Sequence, residues 1–139
     1  MITPGRLDLV VQRWTPFDYS VQLPRGIDFT GATAALQARL RPDAPGDPII
    51  SLVNAASSGQ GLSFTHVTDD EDLVTSTLRI RIDETTAEPI LLNAGKLPTV
   101  DRREDVRLSH DIHITGGGYA KTRWYEGVLT IRGGSTQNA

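Results

Sequence analysis

The chain has 139 residues, of which 38% are hydrophobic, and it contains no cysteine. The lack of cysteine excludes a disulfide framework, a thiolate zinc site and a cysteine nucleophile. A formal net charge of −3 argues against a nucleic-acid-binding protein, which would carry a basic patch. The length predicts one domain, which we place at residues 1–134, followed by a flexible tail at 135–139.

Two alternating runs open the chain and predict strands, because side chains on a strand point to opposite faces in turn. The first run covers residues 6–13, with Leu7, Leu9 and Val11 on one face. The second has Phe17, Tyr19, Val21 and Leu23 on one face and ends at Pro24.

Residues 32–41 carry conflicting signals. Their alanine, leucine, glutamine and arginine residues favour a helix by local propensity. The pattern has period two, however, with Ala34, Leu36 and Ala38 on one face, and it predicts a strand.

The middle of the chain is a series of short elements. Residues 49–53, 62–67 and 78–82 read as strands, and residues 69–72 form a turn of four acidic residues. A helix is predicted to start at residues 83–86 and to be brief, because Pro89 and Gly95 follow. Residues 93–105 read as an irregular excursion.

A long β-hairpin over residues 105–134 closes the chain. One face of its first arm carries Val106, Leu108, His110, Ile112 and Ile114. Three glycines at 116–118 allow the reversal, because glycine adopts positive φ readily. With about eight short strands and one helical turn, the chain is predicted to be all-β, as a sandwich or barrel.

The three histidines do not form a predicted metal site. His110 and His113 are three residues apart on a strand and should point to opposite faces. Asp111, His113 and Glu126 can share a face, either as a pairing network or as the site of a small hydrolase or metal enzyme. The acidic turn lacks the spacing of a calcium loop. We predict no metal, no cofactor and no enzymatic activity.

The large aromatic residues suggest contact surfaces. Trp124 should lie on the face opposite Tyr125, so that one of them faces outward. Trp124, His113 and Trp14 are the predicted residues of a protein interface. The alternative is a carbohydrate-binding module that stacks sugars on Trp14 or Trp124.

Several short motifs follow one another in an order that resembles a known family. Residues 28–39, DFTGATAALQAR, resemble the family pattern D-L-T-G-x-T-A-x-x-Q-x-R. Residues 78–92 resemble its short strand and threonine- and alanine-rich helical turn. The closing HDIHI, glycine turn and GVLTI resemble its last two strands, although His110 replaces a tyrosine and residues 93–105 look inserted.

These motifs are similar to those of small bacteriophage and prophage tail or baseplate proteins, of the type found as an N-terminal domain of upper baseplate proteins. The resemblance implies an immunoglobulin-like antiparallel β-sandwich and a structural, non-catalytic role in the virion. It implies other tail or baseplate proteins as partners and a homo-oligomer in the particle. With no signal peptide and no membrane-spanning segment evident, we expect synthesis in the host cytoplasm and no membrane or nucleic-acid partner.

Overall fold

A computed structural model describes residues 4–12, 15–42, 45–55, 58–92 and 105–132. Within them lie nine strands and one helix. In chain order these are β1 (Gly5–Arg6), β2 (Leu9–Gln12), β3 (Phe17–Gln22), β4 (Thr33–Arg39), β5 (Ile50–Val53), β6 (Gly61–Thr68), β7 (Val74–Ile82), α1 (Glu84–Leu92), β8 (Val106–Gly116) and β9 (Tyr119–Arg132). The predicted tail at 135–139 and all but the last residue of the 93–105 excursion lie outside the described residues.

The strands form two sheets, which confirms the all-β prediction. The first sheet has the order β1-β9-β8-β4-β5, with β2 also paired to β9, and the second has the order β3-β7-β6. Most neighbours are antiparallel, but β1 and β2 run parallel to β9. The expectation of a wholly antiparallel fold was therefore wrong at this edge. Alternation predicts which face of a sheet a residue occupies, but not the direction of the neighbouring strand. Because β1 and β2 are far from β9 in sequence, no hairpin requires them to run antiparallel to it.

Residues 33–39 form strand β4, so the alternating pattern prevailed over helix propensity. The strand lies between β5 and β8, and its side chains Ala34, Leu36 and Ala38 are buried. Pairing on both sides satisfies its backbone groups, and burial of one face adds the stabilisation that an isolated helix here would lack.

Helix α1 is longer than the single turn predicted, because it continues through Pro89. Its start is held by Gln60, whose Oε1 accepts hydrogen bonds from the Asp83 backbone N–H at 2.9 Å and the Thr86 hydroxyl at 2.6 Å. Ala87 is buried in the core. Anchoring at the first turn and burial of one residue stabilise a helix that proline alone would shorten.

Both sheets contribute to one hydrophobic core, and Phe29 joins them. Phe29 is fully buried in the connection between β3 and β4. Its ring stacks on Phe64 of β6 at a centroid distance of 6.5 Å and meets Trp124 of β9 edge-on at 5.5 Å. Around this contact lie Leu9, Leu36, Ile50, Leu62, Leu78, Ile80, Ile82, Ile112, Ile114, Leu129 and Ile131.

A β-bulge turns Trp124 into the core. Along the hairpin Ile112 pairs with Tyr125, but the next residue, His113, pairs with Arg123, so Trp124 is an extra residue in β9. An extra residue shifts the alternation of every residue beyond it. Trp124 is only 7% exposed as a result. The prediction that its ring faces outward was wrong, because strict alternation ignored the bulge.

The predicted hairpin is confirmed, and its glycine turn packs against the segment that contains Ile27 and Phe29. Gly117 and Gly118 both have positive φ, at 63° and 84°. A Cβ on Gly117 would lie 2.7 Å from Ile27 Cγ2 and 3.1 Å from the Phe29 ring, whereas one on Gly118 would meet nothing within 4 Å.

No helix among the described residues is long and apolar enough to cross a bilayer.

Gly117 and Gly118 provide a matched test of how the turn packs against Ile27 and Phe29. Gly118→Ala should cost about 1 kcal/mol of unfolding free energy, from backbone strain at positive φ. Gly117→Ala should cost roughly 1–3 kcal/mol more, because its methyl group also displaces Ile27 and Phe29. Urea denaturation of both variants measures the difference, and equal costs would contradict the packing described.

Candidate functional site

A polar groove of about 520 Å³ crosses the outer face of the first sheet, the face turned away from the core. We call it the arginine groove, because four of its lining residues are arginines. Its walls are Pro4, Arg6, Gln37, Arg39, Arg41, Pro42, Ser109, His110, Asp111, His113, Arg123, Glu126, Gly127 and Val128.

Strand register explains how residues so distant in sequence come together here. Gln37 of β4 lies opposite Asp111 of β8, which in turn lies opposite Glu126 of β9. Residues opposite one another on neighbouring strands share a face. The polar side of each alternating strand therefore contributes to one continuous surface.

The structure brings together Asp111, His113 and Glu126, as the sequence suggested, and adds Arg123 between the two carboxylates. Arg123 lies 3.4 Å from Asp111 and 3.6 Å from Glu126, and His113 Nδ1 lies 4.0 Å from an oxygen of Asp111. These side chains are between 30% and 49% exposed, so each pair contributes about 0–1 kcal/mol at most. The guanidinium neutralises carboxylates that a hydrolytic or metal site would need available.

The other end of the groove carries Arg39 and Arg41 from the end of β4. Arg39 donates to the Gly46 carbonyl and, at 3.4 Å, to Gln37 Oε1. Arg41 is on the surface and makes no ion pair with any residue that the structure describes.

His110 lines the groove from below and is 4% exposed. Its Nε2 lies 2.6 Å from the Leu7 carbonyl oxygen. A carbonyl only accepts, so Nε2 carries the proton and Nδ1 of the neutral ring is a bare acceptor. That Nδ1 is buried with no hydrogen-bond partner. Burial lowers the pKa of His110 below its usual value and outweighs the raising effect of the Leu7 carbonyl.

The same carbonyl explains a glycine in β9. A Cβ on Gly127 would lie 2.3 Å from the Leu7 oxygen, closer than any real side chain approaches. Beside it the Asp8 carboxylate accepts the Val128 backbone N–H and the Arg6 guanidinium, both at 2.9 Å. These bonds, with the Val128 contact the larger effect, lower the pKa of Asp8. The break between β1 and β2 is thus fixed to β9 at the rim of the groove.

The three predicted interface residues have different positions. His113 lies in the arginine groove with its side chain 30% exposed. Trp124 is in the core, where it offers no exposed ring to a partner or a sugar. Trp14 lies outside the described residues. The third histidine, His66, is on β6 and its Nδ1 lies 2.8 Å from the Ser76 hydroxyl.

The acidic turn at residues 69–72 is organised by its first residue. Asp69 accepts the backbone N–H groups of Glu71 at 2.9 Å and Leu73 at 3.1 Å, and it pairs with Arg25 at 2.7 Å. The Arg25 contact is the main reason why the pKa of Asp69 is lowered. Among the described residues no group of three or more acidic or histidine side chains is placed to hold a metal ion.

Sequence reasoning missed the convergence of Arg6, Arg39, Arg41 and Arg123. In the sequence they are scattered and read as solvated strand positions. The available signal was that Arg39 falls on the polar side of β4; strict alternation places Arg123 on the apolar side of β9, and only the bulge at Trp124 turns it outward. The signal from Arg39 could not be used without knowing that β4, β8 and β9 are neighbours.

Comparison of the chain with protein-family models, curated proteins and solved structures finds no match.

Burial of His110 predicts a pH-dependent stability. Its folded-state pKa is lowered, so below about pH 6.5 the unfolded chain binds a proton that the folded chain does not, and the unfolding free energy falls. His110→Gln keeps an N–H donor for Leu7 but does not titrate in this range, so it should flatten the dependence between about pH 7 and 5. Denaturation across this range measures the effect.

The control is His113→Gln, which makes the same substitution at a partly exposed histidine and leaves His110 in place, so an effect common to both variants is not assigned to His110. Carboxylates with lowered pKa values, such as Asp8, whose ordinary pKa is 3.8, change the unfolding free energy only at lower pH. An unchanged slope in His110→Gln would contradict the buried neutral imidazole.

Proposed function

We propose that this chain is a non-enzymatic structural component of a bacteriophage virion, from the tail, baseplate or neck region, that acts through protein–protein assembly. We further propose that its two sheets form an immunoglobulin-like sandwich. Support comes from the order of sequence motifs, the all-β architecture and the surface described below. Its partners would be other tail or baseplate proteins and further copies of itself, in the virion, after synthesis in the host cytoplasm.

The observation that carries the proposal is the placement of exposed hydrophobic side chains. Among the described residues the large ones are Val10, Tyr19, Val53, Val67 and Tyr119. Four of them lie on edge strands, one each on β2, β3, β5 and β6, so among the described edge strands only β1 lacks one. Exposed apolar side chains on unpaired edges favour addition of a partner strand.

Strand β6 is the longest of these edges and has no lysine, arginine, aspartate or glutamate among its eight residues. The Leu62 carbonyl accepts the Ala55 N–H, so the backbone N–H and C=O of Leu62 point away from β7, toward the unpaired side of β6. Because backbone direction alternates, Phe64, His66 and Thr68 turn theirs the same way. No described residue bonds these groups. Natural edges that avoid association carry charges, proline or bulges, which β6 lacks.

The carbohydrate-binding alternative has less support. Burial of Trp124 removes one of its two proposed stacking surfaces, and the other, Trp14, lies outside the described residues. The hydrolase alternative is weakened because Arg123 occupies the space between Asp111 and Glu126.

The test is capture of tail or baseplate proteins encoded beside this chain, using the purified chain as bait. Wild type should retain at least one such protein. Val67→Lys places a charge on the β6 edge and should weaken that binding by about tenfold or more, equivalent to about 1.4 kcal/mol.

The matched control is Thr130→Lys, which adds the same charge to β9, a strand paired on both sides. It should bind as wild type does. Failure of the wild-type chain to bind any tail or baseplate protein would overturn the proposed function, and equal binding by Val67→Lys would overturn the role of the β6 edge.

A further inference from the structure

The second sheet ends in two edge strands, β6 and β3. The proposed function assigns a partner to the β6 edge, and the β3 edge is separate from it because β7 lies between them. All six residues of β3 (Phe17–Gln22) are paired with β7 on one side. On its other side β3 has no strand partner among the described residues.

One hydrogen bond identifies the backbone groups of β3 that face this open side. Leu23, which directly follows β3, donates its N–H to the Ser76 carbonyl at 2.8 Å, so Leu23 points toward β7. Direction alternates along a strand, so Asp18, Ser20 and Gln22 point away from β7. No residue in the described part of the chain bonds the backbone N–H and C=O groups of these three.

The pairing on the far side of β7 gives the same assignment. Leu62 of β6 points away from β7, so Ile80, which lies opposite Leu62, points toward β3. Ile80 lies opposite Tyr19 in β3. Tyr19 is therefore bonded to β7, and its neighbours Asp18 and Ser20 face outward.

The inner side of β3 is apolar and only partly covered. Phe17, Tyr19 and Val21 share the face that β7 turns to the core. The rings of Phe17 and Tyr19 stack at a centroid distance of 6.3 Å, yet Tyr19 is 44% exposed. The first sheet therefore leaves this edge uncovered at Tyr19, and a strand added beside β3 has room on its inner side.

The outer side of β3 is polar, and its one charged residue is already paired. Arg79 of β7 donates to both carboxylate oxygens of Asp18, with Nε 2.8 Å from Oδ1. A charged edge residue discourages strand addition, but this carboxylate is neutralised by a guanidinium on its own sheet. The charge of Asp18 therefore does not protect the edge.

Residues 16–24, PFDYSVQLP, are nearly symmetric in character about Ser20. A strand with this pattern is complementary to a copy of itself that runs antiparallel. Around Ser20, Asp18 would lie opposite Gln22, whose amide can donate to a carboxylate, and Tyr19 would lie opposite Val21.

The prolines at the two ends fix the register of such a pair. Pro16 and Pro24 have no backbone N–H, and in the symmetric register they lie opposite each other, where no donor is needed. A shift of two residues in one direction places Gln22 opposite Pro16, and a shift in the other places Asp18 opposite Pro24. Either shift loses backbone hydrogen bonds.

We propose that β3 of one copy of this chain pairs antiparallel with β3 of a second copy, across a two-fold axis at Ser20. Asp18, Ser20 and Gln22 of each copy then bond the outward-facing backbone groups of the other. The same surface is used on both copies, so the contact closes at a dimer.

The pair joins two second sheets into one sheet of six strands, in the order β6-β7-β3-β3-β7-β6. Both β6 edges remain at its ends, free for the partner that the proposed function assigns to them. This inference deepens the proposed function, since it rests on assembly being what the chain does and names one contact.

The first experiment measures the molar mass of the purified full chain by analytical ultracentrifugation at about 100 µM, a concentration suited to a weak interface. Wild type should be dimeric. Ser20→Lys places two like charges opposite each other on the axis and should raise the dissociation constant about tenfold or more. The matched control Val67→Lys adds the same charge to the β6 edge and should dimerise like wild type.

The second experiment uses the absence of cysteine from the chain, so that one introduced thiol reports one contact. In Ser20→Cys the two Cα atoms would lie about 5.5 Å apart across the axis, within the range of about 4.4–6.8 Å that a disulfide spans. Mild oxidation should convert most of this variant to a disulfide-linked dimer.

The control is Gln22→Cys, on the same side of the same strand. In the proposed register its two copies are four residues apart along the strands, about 14 Å, which is too far for a disulfide. It should remain unlinked under the same oxidation.

Wild type that is monomeric at 100 µM would overturn the inference, as would a Gln22→Cys variant that links as readily as Ser20→Cys or a Val67→Lys variant that is monomeric. Capture of tail proteins is measured separately, and Ser20→Lys should retain it because its β6 edge is intact. A chain that captures a tail protein but stays monomeric would leave the proposed function standing and remove this contact.

Discussion

Burial of Phe29 between Phe64 and Trp124 is the interaction on which the rest of the structure depends. Phe64 belongs to the second sheet and Trp124 to the first, and Phe29 contacts both from the connection that leads out of one sheet into the other. Aromatic pairs at such distances add about 0.5–1.5 kcal/mol each beyond the area they bury. The closing hairpin is adapted to this contact, through a bulge that turns Trp124 inward and a glycine turn that leaves room for the Phe29 ring.

A core organised in this way determines what the outer surfaces can do. The inner faces of the strands are used for packing, and the outer face of the first sheet is left to polar residues that meet in the arginine groove. Among the described residues, five edge strands end the two sheets, and all of them except β1 carry an exposed hydrophobic residue. The surface therefore combines charged faces with open edges.

The sequence predicted the parts of this fold that depend on alternation. Residues 33–39 form a strand despite helical propensity, and the buried face of β8 is the one that the pattern indicated. Alternation could not reveal the parallel pairing of β1 and β2 with β9, the bulge at Trp124 or the length of α1. Each depends on contacts between distant segments. The site was partly predicted, because Asp111, His113 and Glu126 share a face. Arg39 meets them only through sheet order, and Arg123 only through the bulge at Trp124.

The most direct test of the central contact is a double-mutant cycle on Phe29 and Trp124. Phe29→Leu, Trp124→Leu and the double variant would be compared with wild type by urea denaturation. If the two rings hold the sheets together, the losses in unfolding free energy should be non-additive, with a coupling of about 0.5–1.5 kcal/mol. Losses that add to within about 0.3 kcal/mol would contradict the account.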